Sequence, residues 1–295
     1  MFHKVLVGVD GQFGGHDAIA LAGEMTAQHG ELVLAHIYPL RGDPVHRDYN
    51  DHKASEYVKA HDLLVDARDE AGVKAKLRWS ACTSPGRGLH ELAESLGSDL
   101  LVVGSSGRGL LGRVLVGDDT RAALDGAPCA VAVAPVGYAK HPRAIGRIGV
   151  GYDGSSDAMR ALDAARALAH ELHASLAALE VVAYPACVFG APDAGDNASV
   201  RELVSEARNR VASIGDVEPH GAYGHPGEEL ARWGDTVDLL VVGSRGYGPL
   251  GRLVHGSTSR ALVQAAHCPV LVLTRSLATT PAPGRAYDDR ALAAT

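Results

Sequence analysis

The stretch Asp99-Leu-Leu-Val-Val-Gly-Ser-Ser-Gly107 returns as Asp238-Leu-Leu-Val-Val-Gly-Ser-Arg-Gly246, and this repetition decides the fold. Each copy holds a short run apolar on both faces, as expected of a strand inside a parallel sheet covered by helices on both sides. The match is free of gaps: Gly104 and Gly243, Gly117 and Gly256, and Cys129 and Cys268 all stand 139 residues apart. The starts agree too, Lys4-Val-Leu-Val-Gly-Val-Asp10-Gly11 matching Arg147-Ile-Gly-Val-Gly-Tyr-Asp153-Gly154 at an offset of 143. Such self-similarity marks a duplicated unit.

Outward from these runs, the first half reads as strand 4–9, helix 16–29, strand 32–37, helix 51–71, strand 74–80, helix 87–96, strand 99–103, helix 118–126 and strand 129–134. The second half places strands near 147–152, 175–182, 216–222, 238–242 and 269–273. Right-handed crossovers then give an α/β chain of two tandem doubly wound domains, each a five-stranded parallel sheet flanked by helices. The domains are expected at 1–138 and 145–275, with a short linker where Gly137 and Pro142 interrupt the pattern, and 276–295 as a flexible tail without periodicity. A lone parallel sheet leaves its fifth strand as an unpaired edge. The runs Ala130-Val-Ala-Val-Ala134 and Val270-Leu-Val-Leu273 are therefore expected to pair the domains within the chain, and a homodimer of whole chains is compatible with this.

The 295 residues are about twice a typical domain, and the 46 % apolar and 21 % charged fractions exclude a disordered chain and a coiled coil. Lys and Arg total 28 against 35 Asp and Glu, a net charge of −7 with no basic stripe, so no nucleic-acid partner and no electrostatic membrane attachment is expected. No apolar run approaches the roughly 18–20 residues that span a bilayer, and the chain enters a strand-like segment directly, so a cytoplasmic location is expected. Cys82, Cys129, Cys187 and Cys268 form no CxxC pair, which argues against a disulfide framework or a zinc site of linked cysteines.

In doubly wound folds ligands bind beyond the carboxyl ends of the strands. The loop after strand four of the second half runs from Gly243-Ser-Arg-Gly246 through nine residues to Gly256-Ser257 at the start of a helix. This spacing suits phosphate: glycines allow close backbone approach, and Gly256 and Ser257 offer amides and a hydroxyl at the positive end of a helix dipole. A purely structural loop, with Ser257 only capping its helix, fits the same residues.

That spacing, the strands ending in Val-Asp-Gly or Tyr-Asp-Gly-Ser, the Asp-Leu-Leu-Val-Val-Gly-Ser run and the closing His267-Cys-Pro-Val-Leu-Val272 together resemble the universal stress protein family over roughly 3–135 and 146–274. The resemblance implies a sandwich in each half similar to the adenine nucleotide alpha hydrolases. In the ATP-binding branch it also implies a nucleotide over the strand ends. Carried over, Asp153 lies near the adenosine, Val181 beside the adenine, and Gly243, Gly246, Gly256, Ser257 and Thr258 around ribose and phosphates, with Arg245 and Arg252 flanking. The first half keeps Asp10, Ile37, Gly104, Gly107 and Gly117 but has Asp118 and Asp119 where the family places Ser or Thr. A carboxylate caps a helix well yet repels a triphosphate, so the first site is expected to be weaker or empty unless Mg2+ bridges. The implied function is a tandem stress-response regulator binding ATP chiefly in domain 2. The alternatives are a member of the non-nucleotide branch acting through protein contacts, or an adenylate-forming or flavin-dependent enzyme on a similar sheet.

Other patterns are decoys. Gly107-x-Gly109-x-x-Gly112 and Gly246-x-Gly248-x-x-Gly251 follow the fourth strand rather than opening the first βαβ unit, so a dinucleotide fingerprint is not supported. Gly251-Arg252-Leu253 lacks the lysine and hydroxyl of a Walker A loop. His46, Asp48, Asp51 and His52 cluster without a ligand spacing and read as a solvated loop. No general base, nucleophile or metal-ligand set can be named, so no efficient enzyme is expected.

Overall fold

The computed structural model describes residues 1–39, 48–105, 118–183, 197–243, 261–263 and 265–273. The first half comprises β1 (Phe2–Gly8), α1 (Phe13–Met25), β2 (Thr26–Pro39), α2 (Asp48–Ala71), β3 (Lys76–Cys82), α3 (Pro85–Leu96), β4 (Leu100–Gly104), α4 (Asp118–Leu124) and β5 (Ala130–Ala134). The second comprises β6 (Arg147–Tyr152), α5 (Ser156–Leu172), β7 (Ser175–Ala183), α6 (Asn197–Ala212), β8 (Glu218–Gly224), α7 (Pro226–Trp233), β9 (Leu239–Gly243) and β10 (Val270–Leu273). The expected tail at 276–295 lies outside the described residues.

Among the described residues ten strands join one sheet in the order β3-β2-β1-β4-β5-β10-β9-β6-β7-β8. Every pairing is parallel except β5 with β10, where Val133, Ala132 and Val131 stand opposite Val270, Leu271 and Val272. Each fifth strand thus gives its edge to the other. The seam is dry, since Ala132 and Val133 are 0 % exposed and Leu271 is 1 % exposed, and Leu271 fills the space that Ala132 leaves on the same face.

The unbroken apolar runs follow from burial on both faces. Leu100 and Val102 face one core while Leu101 and Val103 face the other, and Leu239 and Val241 against Leu240 and Val242 repeat the division. The first core is roofed by α1, α2, α5 and α6, the second by α3, α4 and α7, in both halves alike. The Asp that opens each Leu-Leu-Val-Val run is structural. Asp99 accepts from the amides of His3 and Lys4 at 2.8 and 2.9 Å, and Asp238 from those of Gly146 and Arg147 at 3.0 and 2.8 Å. These bonds fix the entry of β1 and β6.

The linker is tied down by a buried carboxylate. Asp17 of α1, 3 % exposed, accepts from the amides of Gly137 and Ala139 at 2.8 and 2.7 Å. The intervening Tyr138 donates its hydroxyl to the Arg143 carbonyl at 3.1 Å.

Several boundaries differ from the sequence expectation. The first helix ends at Met25 rather than 29, and β2 starts at once with Thr26 rather than at 32, because Phe2 pairs with Thr26 before an irregularity shifts the register to Lys4 opposite Glu31. The second helix starts at Asp48 rather than 51, so Asp48, Asp51 and His52 belong to α2, while His46 falls outside the described residues.

Candidate functional site

In each half the strand order reverses between the first and fourth strands, β1 beside β4 and β6 beside β9, and the crevice beyond their carboxyl ends is where this architecture takes ligands. Asp10 and Gly104 frame the crevice of the first half, Asp153 and Gly243 that of the second.

The two aspartates have the same local geometry. Asp10 accepts from the amide of Gln12 at 2.9 Å and Asp153 from that of Ser155 at 3.0 Å, each through Oδ1. Such a turn returns the chain into a helix and leaves the carboxylate at the surface, where both residues are exposed. The glycine that follows is required by conformation: Gly11 has φ 76° and Gly154 φ 75°, in the left-handed region. The helices then start differently. Ser155 caps α5 by accepting from the Ala158 amide at 3.2 Å, whereas Gln12 gives α1 no side-chain cap.

The paired apolar positions differ more. Ile37 is 8 % exposed and belongs to the second core, where a Cβ on Gly88 of α3 would meet its Cγ2 at 2.8 Å. Val181 is only partly buried against that core. At the place of Gly88 in α7 stands Glu229, which reaches Arg232 at 2.6 Å and lies against Gly224 at the end of β8. The first half therefore closes α3 onto Ile37, while the second carries an ion pair on the equivalent helix.

The glycines ending β4 and β9 are held by packing. A Cβ on Gly104 would fall 2.0 Å from the Gly14 carbonyl oxygen, and one on Gly243 would fall 2.6 Å from the Asp157 carbonyl oxygen. Each strand end is pressed against the first turn of the helix that follows the first strand. The sequence reading gave Gly243 a role in admitting a ligand; its immediate neighbour is that helix.

Three neighbouring groups were not among the sequence candidates. The hydroxyl of Ser105, 2 % exposed and directly after Gly104, has no hydrogen-bond partner among the described residues. The Gly-Ser step repeated at 104–105 and 243–244 was the available signal. His36, two residues after Leu34, bonds the Val9 carbonyl through Nδ1 at 2.6 Å. At the equivalent place in β7, Glu180 instead holds Arg210 of α6 at 2.6 Å, which raises the Arg210 pKa through that hydrogen bond. Nothing local in the sequence announces either contact.

Gly107, Gly117, Arg245, Gly246, Arg252, Gly256, Ser257 and Thr258 lie outside the described residues, as do both GxGxxG patterns. Asp118 and Asp119 open α4. Among the described residues no group of His, Cys, Asp or Glu is placed to hold a metal ion, and no helix is long and apolar enough to cross a membrane. Burial pushes the thiols of Cys129 and Cys268 up to about 12, the behaviour of core fillers rather than thiolate nucleophiles.

The chain has relatives. A universal stress protein of Mycobacterium tuberculosis is 28 % identical over 299 residues, covering 93 % of this chain and 98 % of that one. A Thermus aquaticus universal stress protein is 33 % identical over 128 residues, covering 41 % of this chain and 93 % of its own length. Among solved structures, a universal stress protein from Archaeoglobus fulgidus superposes with a TM-score of 0.64 at 19 % identity, covering 92 % of this chain and 98 % of that one, a likeness of fold. Residues 1–135 and 144–274 each match the Universal stress protein family, and the chain belongs to that family as a tandem of two such units.

Proposed function

We propose that this protein binds an adenine nucleotide, ATP in the first instance, chiefly in its second half, and that it acts as a stress-response regulatory module. The observation that carries this reading is the repeated carboxylate turn at both strand-order reversals, Asp10 and Asp153, combined with a Gly-x-x-Gly-nine-Gly-Ser spacing complete only from Gly243 to Ser257. The chemistry fits in outline: an exposed carboxylate at Asp153 suits ribose hydroxyls, a half-buried Val181 suits a purine face, and the Gly256-Ser257 amides suit phosphate. In the first half Ile37 is covered by α3 and Asp118 replaces the hydroxyl donor. Both changes favour the second half.

Calorimetric titration of ATP into the full chain tests this, with and without Mg2+. One dominant binding event, weakened by Asp153→Ala and by Ser257→Asp, supports the reading. No heat and no thermal stabilisation at millimolar ATP would instead assign the protein to the branch that acts through protein contacts.

A further inference from the structure

The seam between the halves holds an open cleft of about 720 Å3, within the size range small molecules occupy. One wall is the chain leaving β5 and the other is formed by the segments leading into β9 and β10, so the cleft exists only because those halves meet. Its linker wall is anchored from within the chain. Asp17 clamps the Gly137 and Ala139 amides, and the Tyr138 hydroxyl closes the linker onto Arg143. A wall so anchored spares a ligand the cost of ordering it.

The charges in the cleft are unevenly engaged. Asp238 already accepts two backbone amides through Oδ2, and Asp235 holds Nδ1 of His267 at 2.8 Å. The Arg143 guanidinium has no hydrogen bond or ion pair among the described residues, and the residue is exposed. Val237 and Pro269 are buried in the floor and Val136 is half-buried beside them. A guanidinium and apolar side chains lining one cleft match a ligand with one anionic end and an apolar body.

We propose that this cleft binds a small organic anion, its carboxylate or phosphate on Arg143 and its apolar body against Val136, Val237 and Pro269. The site is separate from the strand-end crevices and does not rest on their nucleotide reading.

Benzoate and phenyl phosphate, titrated into the isotope-labelled full chain, provide the test. Saturable amide shifts at Gly137 and Val237 are expected, weakened at least tenfold by Arg143→Glu and less by Arg143→Lys, with thermal midpoints unchanged because Arg143 is exposed. The tighter arm decides between carboxylate and phosphate. Absence of shifts with both probes, or shifts indifferent to Arg143→Glu, overturns the proposal. So does phenyl phosphate binding lost in Ser257→Asp but kept in Arg143→Glu, which would put the anion at the strand ends and leave the nucleotide reading standing.

Discussion

Gly104 and Gly14 meet backbone to backbone, with no room at Gly104 for a Cβ, which would sit 2.0 Å from the Gly14 carbonyl oxygen. The second half repeats the arrangement, where a Cβ on Gly243 would sit 2.6 Å from the Asp157 carbonyl oxygen. The first glycine of each phosphate-type spacing is thereby demanded by a helix–strand approach, whether or not a ligand is present.

Gly104→Ala and Gly243→Ala are accordingly expected to destabilise the fold, because a Cβ pressed into backbone cannot be relieved by a rotamer change. Overpacking of this kind costs about 1–3 kcal/mol or more. The tighter Gly104 should suffer more than Gly243. Denaturant unfolding of both variants checks it, and losses below about 0.5 kcal/mol, the scale of a neutral surface change, would contradict the packing role.

A second stability prediction concerns Asp17, whose carboxylate satisfies two linker amides while 3 % exposed. Asp17→Asn keeps the shape but offers one acceptor oxygen and turns an amino group towards an amide donor. A cost of roughly 2–3 kcal/mol is expected, the scale of hydrogen bonds to charged groups and of an orphaned buried donor. Urea midpoints measure the cost. Proteolysis localises it, with earlier cleavage near Tyr138 in the variant than in wild type.

The sequence reveals Leu100–Val103 and Leu239–Val242 as strands because burial on both faces leaves no polar alternation to misread. The β5–β10 seam is legible for a related reason, since Ala130–Ala134 and Val270–Leu273 carry no charge to protect an exposed edge. The junction at Met25–Thr26 is not, because the sequence pattern carries the first helix on to His29, and Gln28 and His29 enter β2 only through pairing begun at Phe2. The contact of Gly104 with Gly14 is equally hidden: its partner is ninety residues away in the chain, and no local pattern encodes that distance. Asp10 and Asp153 are legible as a pair through repetition alone, whereas the covering of Ile37 by α3 depends on Gly88 and required the tertiary structure.

Alkaline pH should weaken the fold through its buried thiols and the Tyr138 hydroxyl. Burial, with a smaller push from Asp99, raises the Cys129 thiol from an ordinary 9.0 to about 12, and burial raises Cys268 to about 12 as well. Burial and the nearby Glu24 lift the Tyr138 hydroxyl from 10.0 to about 12. For these groups the folded chain holds its protons longer than the unfolded chain. Their contribution is therefore intact below about pH 9 and is lost as pH rises towards about 12. Denaturation midpoints are expected to be level near neutrality and to fall steadily above about pH 9, with a shallower fall in Cys268→Ala. A midpoint constant to about pH 11 would show that these thiols are not buried in solution.

The two halves should differ in nucleotide affinity, because Ser257 brings a neutral donor where the first half brings Asp118. An uncompensated carboxylate near phosphate, with one hydrogen bond lost, costs on the order of 2–3 kcal/mol, roughly a hundredfold in affinity. In the full chain, Ser257→Asp is expected to weaken the dominant ATP site by about that factor, while Asp118→Ser strengthens or creates the second site. The double variant should invert the order of the halves, which no general loss of stability would do. Magnesium can reverse the sign at one place: a cation between Asp118 or Asp119 and the phosphates turns repulsion into a bridge. Titrations in chelator and in excess Mg2+ separate the cases. Equal affinities in chelator would defeat the charge difference as the cause, and tight binding by the first half only with Mg2+ would make its two aspartates the means of holding the cation.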